Sequence, residues 1–288
     1  MCSTLPCVAA LLFAAADKPA AYPRPDLLVE PADLPTLKDA RILDARGKGN
    51  YLSAHIPGAV WVDAISWSRA FGNGQDADGW AKRIGGLGID ADTVVVVYDD
   101  SQSKDAARIW WILRYWGVKD VRLLNGGWSG YSALKRPVKD GDEKPAAKDA
   151  KLVAQTARLA TKAQMLAALK DHPFQILDAR SDDEFCGTED TAKRNGAIPG
   201  ALHLEWSDAL DKKTARFKNP EELTKLFKAA GIDPMKPATT YCQSGGRAAV
   251  LAFTLELMGG KEVRNYYKSW AEWGNADDTP VEKGKPKK

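Results

Sequence analysis

Apolar residues along the chain follow two periods, one typical of buried strands and one typical of helices. The stretch 93–99, TVVVVYD, is a continuous β-branched run that predicts a strand covered on both faces. Residues 104–116, KDAARIWWILRYW, place apolar side chains at helical spacing, and Gly117 marks the stop. Shorter runs at 41–44 (RILD) and 175–178 (QILD) predict further buried strands. Strands and helices in this alternation predict an α/β fold, with parallel sheets joined by crossover helices.

The chain repeats itself over a long period. The matching segments are ILDAR at 42–46 and 176–180, HIPGAVWV at 55–62 against AIPGALHL at 197–204, Tyr98 and Tyr241, and Trp128 and Trp270. The shift is 134 residues for the first match and 142 or 143 for the others, which is too long for a solenoid repeat. We therefore predict two tandem copies of one domain, each a parallel sheet flanked by helices.

The copies are assigned to residues 25–136 and 158–280. The segment between them, 137–157, is rich in Lys, Asp, Ala and Pro and poor in large apolar residues, which is typical of an exposed linker. Residues 1–22 are a candidate signal peptide, because a short apolar run at 5–16 ends in small residues, although no Lys or Arg precedes it. We expect a periplasmic or secreted protein that leaves the membrane after processing, with a cytoplasmic location as the alternative.

Composition excludes several classes of function. The formal net charge of +3 comes from 41 basic and 38 acidic residues, a balance that argues against broad nucleic-acid binding. Four cysteines without a CxxC pair are too few for a disulfide scaffold. His55 and His203 do not stand at metal-ligand spacing, so we expect no metal and no cofactor. We expect a monomer acting on small molecules, because the duplication already supplies a cleft between two domains.

One strand end differs between the two copies, and a difference of this kind marks a candidate for function. The second copy reads YCQSGGRA where the first reads YDDSQSKDAA, so that Asp99 stands in the place of Cys242 and Lys104 in the place of Arg247. Gln243, Ser244, Gly245 and Gly246 form the loop between this cysteine and arginine, and a helix is predicted over 248–257. The two glycines allow backbone angles that turn amide N–H groups inward. Amides, a helix N-terminus and an arginine form an anion-binding cradle that also favours a thiolate.

At this loop the sequence resembles the rhodanese family. The resemblance covers nearly all of residues 25–275 and includes the LDAR strand end, the IPGA turn, the LLNGGW segment and the active loop. It implies that Cys242 carries sulfur as a persulfide, with Arg247 as its catalytic partner and the four loop residues binding substrate. It also implies that the first copy, which has Asp99, is catalytically inactive. In this copy Gln102 and Ser103 replace the two glycines, and non-glycine residues are expected to resist the backbone angles the cradle needs.

The resemblance leaves the sulfur donor open between two classes. Thiosulfate is favoured by Gln243 and by the cationic loop, with cyanide or a thiol as the acceptor. A 3-mercaptopyruvate sulfurtransferase is the alternative, favoured by Ser244 but not by the lack of a histidine between His55 and His172. A sulfur carrier or sensor is a further alternative. A cysteine phosphatase is less favoured, because such enzymes wrap phosphate with a longer loop than the four residues present here.

For the other charged or reactive residues, functional and structural interpretations are both available. The second copy has eight extra residues between its LDAR and IPG segments, and the family implies a substrate-binding arginine there, which Arg194 matches. Asp178 and Arg180 are repeated in the first copy as Asp44 and Arg46, so they are interpreted as structural. Cys186 is interpreted as an inert thiol, with a disulfide or polysulfide bond to Cys242 as the alternative. The tryptophans of the 104–116 helix are expected in the core and between the copies.

Overall fold

The computed structural model describes residues 21–285, and all but the last two residues of the candidate signal peptide lie outside this range. The chain forms two parallel sheets, as the repeat predicts. The first has five strands in the order β1-β5-β4-β2-β3, and the second has four in the order β7-β6-β8-β9. The Tyr22 hydroxyl donates to the carbonyl of Lys218 at 2.9 Å, so this residue is part of the folded body.

The strands are β1 (Leu28–Val29), β2 (Arg41–Asp44), β3 (Ala59–Trp61), β4 (Val94–Tyr98), β5 (Asp120–Leu124), β6 (Gln175–Asp178), β7 (Leu202–His203), β8 (Ala238–Tyr241) and β9 (Val263–Asn265). The α-helices are α1 (Lys48–Ser53), α2 (Ala64–Phe71), α3 (Ala77–Gly85), α4 (Lys104–Tyr115), α5 (Gly127–Ser132), α6 (Lys162–Asp171), α7 (Asp182–Cys186), α8 (Pro220–Ala229), α9 (Gly246–Leu257) and α10 (Ser269–Trp273). Short 3₁₀ turns occupy Pro25–Leu27, Leu34–Thr36, Thr156–Arg158 and Trp206–Ala209. No helix within residues 21–285 is long and apolar enough to span a membrane.

The predicted strands and the predicted helix of the first copy are confirmed with small shifts at their ends. Strand β4 is fully buried over its last four residues, as expected for a strand covered on both faces. Helix α4 ends one residue before the predicted limit, and Gly117 follows with a φ of +90°. Helix α9 begins at Gly246, two residues before the predicted start, so the second glycine of the loop is itself helical.

One of the hydrophobic core clusters contains residues of both copies. The helices α4 and α9, which follow the equivalent strands β4 and β8, pack against each other across the boundary. Trp110 of α4 meets Phe253 of α9 edge to face, with ring centroids 5.0 Å apart. Every residue of α9 except Arg247 is buried, and a helix that is apolar on all sides must be enclosed by protein. The second copy's crossover helix therefore lies at the centre of the molecule, with its N-terminus at the boundary.

The predicted linker has no strand or α-helix, but it follows the surface of the N-terminal domain. The Lys139 carbonyl accepts the His55 amide at 2.8 Å, and the Lys148 amide donates to the Gly85 carbonyl at 2.9 Å. Gly85 has no room for a side chain there, because a Cβ would lie 2.4 Å from the Lys148 carbonyl oxygen. These backbone hydrogen bonds fix the path of the linker on the domain, although most of its side chains are exposed.

Candidate active site

Cys242 is the first residue after strand β8, and hydrogen bonds hold both its backbone N–H and its backbone C=O. Its amide donates to the Ser269 hydroxyl at 3.1 Å, and its carbonyl accepts the Trp270 amide at 2.9 Å. Ser269 has a φ of +54°, a left-handed conformation that brings its hydroxyl back to the strand end. The cysteine is 1% exposed. The strand end and the start of α10 therefore fix the position of the sulfur.

The loop after Cys242 aims donors at the sulfur. The Gly245 amide donates to the Cys242 Sγ at 3.1 Å, and α9 begins at the next residue. The 12-residue helix α9 places the positive end of its dipole at this loop. The Asn265 side-chain amide donates to the Gly245 carbonyl at 3.0 Å and locks the turn. These contacts place the sulfur in an environment suited to an anion.

The two loop glycines are required for different reasons. Gly245 has a φ of +83°, and a Cβ there would lie 2.7 Å from the ring of Tyr267. Gly246 lies inside the helix without a positive φ, but a Cβ there would lie 2.3 Å from the Arg108 guanidinium. The expectation that both glycines serve the backbone angles is therefore wrong for Gly246, where glycine allows the close approach of another side chain.

Arg247 lies beside the loop, where the sequence places it, but it is paired. Its guanidinium donates twice to the Glu184 carboxylate, at 2.5 and 2.8 Å. The Glu184 side chain is 5% exposed and Arg247 is 22% exposed. Burial alone would lower the pKa of Arg247. The negative charges of Glu184 and Cys242 outweigh this effect, so the pKa is raised. Arg247 therefore shares its charge between the cradle and a carboxylate on α7.

Gln243 and Ser244 link the loop to its surroundings. The Gln243 side-chain amide donates to the Thr191 carbonyl at 3.0 Å, while its Oε1 is buried without a protein partner. The Ser244 carbonyl accepts a hydrogen bond from Arg108 at 2.8 Å. Thr191 belongs to the eight-residue insertion of the second copy. The insertion therefore supports the active loop through Gln243.

Arg194 makes its hydrogen bonds with the end of α10 and the segment that follows it. Its guanidinium donates to the backbone carbonyls of Trp273, Ala276 and Thr279 and to the Thr279 hydroxyl. Its backbone amide also donates to the Gly274 carbonyl at 3.1 Å. The guanidinium is thus used to hold the segment after α10. Substrate binding by Arg194 stays a prediction of the family resemblance, beside this structural role.

The two LDAR segments form the same buried ion pair, which supports their structural interpretation. Arg180 donates to both Asp178 oxygens and to the Gly196 carbonyl, and both side chains of the pair are 0% exposed. In the first copy Arg46 binds Asp44 in the same way. Asp178 lies opposite Tyr241 in the register of β6 and β8. The pair therefore orders the strand end that leads to Cys242.

The equivalent loop of the first copy is a complete cradle that its own carboxylate fills. Asp99 accepts the amides of Ser103, Asp105 and Ala106, each at 2.9 Å, and the Ser101 hydroxyl at 2.8 Å. Gln102 and Ser103 adopt φ values of +56° and +63°, so the expectation that they resist left-handed angles is wrong. The hydrogen bond from the Ser103 amide to Asp99 stabilises this turn.

Helix starts also revise the alignment of the two loops. Helix α4 begins at Lys104, five residues after Asp99, whereas α9 begins at Gly246, four residues after Cys242. The first loop is one residue longer, which explains why the repeat shift falls from 143 to 142 across it. Asp105, not Lys104, therefore stands where the second copy has Arg247.

We expect Asp99→Cys, combined with Cys242→Ser, to create no second sulfur-transfer site. The new thiol would have amide donors, but Asp105 would repel a thiolate or an anionic donor where the second copy has a cation. We expect turnover at least about a hundredfold below wild type, since loss of charge stabilisation in a site costs this much. Turnover near wild type would show that amides and a thiol suffice. The added change Asp105→Arg in the same variant tests the charge directly and is expected to recover part of the rate.

Cys186 is half-buried at the end of α7, beside two aspartates of its own helix. Burial and the carboxylates of Asp182 and Asp183 raise the pKa of its thiol. A raised pKa keeps the thiol protonated near neutral pH and makes it a poor nucleophile. Within residues 21–285, the two cysteines present, Cys186 and Cys242, are free thiols, and no group of three or more metal-binding side chains is present.

Sequence reasoning missed three residues of the site: Arg108, Glu184 and Ser269. Glu184 carries a signal, because Ser181 and Glu184 form a capping box that predicts the start of α7, although not the pairing with Arg247. Arg108 also carries one, because a charged residue interrupts the apolar face that contains Trp111 and Tyr115. Ser269 carries none, since its role depends on a left-handed backbone angle at the end of a loop.

Comparison with known proteins agrees with this geometry. The family model described as rhodanese-like domain matches twice, over residues 27–134 and 161–276. The chain belongs to the rhodanese family. Rhodanese domains therefore account for both sheets, with the Cys242 loop in the second and its carboxylate-filled counterpart in the first.

Individual relatives extend the likeness over most of the chain. A thiosulfate sulfurtransferase from Azotobacter vinelandii is 32% identical over 263 residues, which cover 89% of this chain and 97% of that protein. A 3-mercaptopyruvate sulfurtransferase from Escherichia coli strain K12 is 30% identical over 271 residues, covering 89% of this chain and 96% of that protein. The crystal structure of YnjE superposes with a TM-score of 0.84 at 29% identity, covering 92% of this chain and 70% of that one. Because sulfurtransferases match it over most of its length, the chain is a sulfurtransferase.

Proposed function

We propose that this rhodanese moves the outer sulfur of thiosulfate to a thiophilic acceptor through a persulfide on Cys242. The thiolate attacks the outer sulfur, the sulfur–sulfur bond of thiosulfate breaks, and sulfite leaves with the bonding electron pair. The product is Cys–S–S⁻. Cyanide or a thiolate then attacks the outer persulfide sulfur, which restores the Cys242 thiolate and releases thiocyanate or a new persulfide. Neither step requires a cofactor.

The observation that carries this proposal is the environment of the Cys242 sulfur. The sulfur lies at the N-terminus of α9 and accepts the Gly245 amide at 3.1 Å. A persulfide anion extends one atom farther along the same loop, where helix-terminal amides favour negative charge. The loop between Cys242 and Gly246 is short, which suits a single sulfur better than a tetrahedral phosphate. The loop therefore suits both anions of sulfur transfer, the Cys242 thiolate and its persulfide.

Thiosulfate as the donor is supported by charge. Two arginines, Arg247 and Arg108, flank the loop, and thiosulfate is a dianion. After the IPGA turn of the first copy, no histidine occurs between His55 and His172, where the mercaptopyruvate alternative would favour one. The likeness to the Escherichia coli enzyme keeps 3-mercaptopyruvate as the second candidate donor.

The donor is tested by steady-state formation of thiocyanate with cyanide as the acceptor. We expect kcat/KM for thiosulfate to exceed that for 3-mercaptopyruvate by at least about tenfold. The reason is that each charged hydrogen bond to the second negative charge of thiosulfate contributes about 1.5–3 kcal/mol. The reverse order would assign the protein to the mercaptopyruvate class. Persulfide transfer to protein thiols without small-molecule turnover would indicate a sulfur carrier.

A further inference from the structure

A second cation reaches the active loop from the other domain. Arg108 lies on α4 of the N-terminal domain, and its Nη1 donates to the Ser244 carbonyl of the catalytic loop at 2.8 Å. The same nitrogen donates to the Ser68 hydroxyl at 2.6 Å and to the Tyr267 hydroxyl at 3.1 Å. The guanidinium carbon lies 5.8 Å from the centre of the Tyr267 ring. Arg108 is therefore fixed against the loop by contacts from both domains.

Within residues 21–285, no carboxylate is hydrogen-bonded to Arg108, although the charge of Asp105 on the same helix acts on it. All three of its hydrogen-bond acceptors are neutral oxygens, and none of the salt bridges within residues 21–285 includes it. Arg247, by contrast, is bound by both oxygens of Glu184. A half-buried cation without a carboxylate partner has a strong field, because little solvent screens it. Of the two arginines at the loop, Arg108 is the one whose charge remains available to a ligand.

The loop is shaped to admit this side chain. The three atoms nearest to a Cβ at Gly246 would all belong to the Arg108 guanidinium, at 2.3, 2.8 and 3.0 Å. Any side chain at Gly246 would push the guanidinium away from the first turn of α9. The absence of a side chain at this helical position is thus explained by Arg108 and not by a backbone angle.

Arg108 and the active sulfur interact electrostatically. Burial alone would lower the pKa of Arg108, but Tyr267 and the charge on Cys242 raise it. An anion at Cys242 is therefore stabilised by Arg108 in return. The counterpart of Arg108 in the second copy, at the shift of 142, is Val250. The loop of the first copy therefore receives no equivalent cation from the second copy.

We propose that Arg108 binds the anionic group of the sulfur donor, so that the active site is completed by a residue from the N-terminal domain. The proposal rests on the sulfur-transfer function above and names the residue that selects a dianionic donor. The planar guanidinium has further N–H donors beside those that hold Ser244, which suits a sulfonate-like oxygen group. The inactive first copy thus has a role at the site beyond structural support.

The test compares two alkylating agents of nearly equal size, anionic iodoacetate and neutral iodoacetamide, in their reaction with Cys242. We expect Arg108→Gln to lower the ratio of the iodoacetate rate to the iodoacetamide rate by about tenfold, since a nearby charge accelerates an oppositely charged reagent. Arg108→Lys retains the charge and is expected to keep the ratio within about twofold. The matched control is Arg114→Gln, which removes an arginine from the same helix whose guanidinium binds the Lys119 carbonyl away from the loop.

Equal losses with both reagents in Arg108→Gln would show that Arg108 only supports the loop, and an unchanged ratio would overturn the proposal. Gly246→Ala provides a second route, because it displaces the guanidinium without removing it. We expect this variant to lower the ratio as Arg108→Gln does, and to add no further loss in the Arg108→Gln background. A full additional loss in the double variant would contradict the proposal.

The alkylation ratio is independent of sulfur transfer, so the two proposals can fail separately. If wild-type protein forms no thiocyanate but its ratio still depends on Arg108, the donor assignment fails and the anion site stands. If thiosulfate is turned over and KM for thiosulfate is unchanged in Arg108→Gln, the function stands and the anion site fails. We expect KM for thiosulfate to rise by about tenfold or more in this variant, with a smaller change in kcat.

Discussion

Cys242→Ser is expected to reduce thiocyanate formation from thiosulfate and cyanide by at least about ten-thousandfold, because the nucleophile that accepts the sulfur is removed. A serine hydroxyl at this position can accept the Gly245 amide, so the loop is expected to keep its conformation. The loss therefore reports on the sulfur atom and not on the fold. Steady-state kinetics and a thermal unfolding curve of the same preparation separate the two.

Cys186→Ser is the matched control, since it removes the other cysteine within residues 21–285. The raised pKa of Cys186 makes its thiol a poor nucleophile, so we expect turnover within about twofold of wild type. Loss of turnover in Cys186→Ser would instead support a disulfide or polysulfide step between the two cysteines. Retention of turnover in Cys242→Ser would contradict the proposed mechanism.

Asp178→Asn is expected to lower the free energy of unfolding by about 3–5 kcal/mol, because it leaves the Arg180 guanidinium buried without its counter-charge. Both side chains of the pair are 0% exposed, and the guanidinium lies 4.3 Å from the centre of the Trp270 ring. The Gly196 carbonyl is the one other hydrogen-bond acceptor that Arg180 has within residues 21–285. Urea denaturation of the variant measures the loss.

Asp44→Asn in the first copy is the control, because Asp44 and Arg46 form the same pair far from the thiol. A structural role predicts losses of similar size in both variants. It also predicts that each variant, at a temperature where it is folded, forms the persulfide within about threefold of the wild-type rate. An Asp178→Asn protein of wild-type stability that forms no persulfide would make Asp178 part of the chemistry and contradict the structural interpretation.

The fold was predictable because its signals are local or repeated. The β-branched run 93–99 and the helical period of 104–116 each determine one element, and the repeat then assigns the second sheet without further evidence. Element ends were less predictable. Helix α9 starts within the Gly-Gly pair, because the end of β8, the Asn265 side chain and Tyr267 together fix the turn. Those constraints come from segments distant in sequence.

The site was predictable where one copy differs from the other. Comparing Asp99 with Cys242 identified the cysteine proposed to carry the sulfur, and the loop glycines identified the cradle. The surroundings were not predictable, because they depend on how the copies pack. The sequence places Arg247 at the cradle but does not reveal that Glu184 binds it, and it does not place Arg108 near Ser244, 136 residues away. The inference for Arg194 came from the family alone, and the sequence does not reveal the contacts of its guanidinium with the segment after α10.

The persulfide on Cys242 is the central claim, and intact-mass measurement tests it most directly. The protein is treated with thiosulfate, freed of excess donor and weighed before and after addition of cyanide. Our account predicts a gain of one sulfur atom in wild type and in Cys186→Ser, complete loss of that sulfur with cyanide, and no gain in Cys242→Ser. A sulfur atom that remains on the Cys242→Ser protein, or no gain in wild type under conditions where thiosulfate is turned over, would contradict the account.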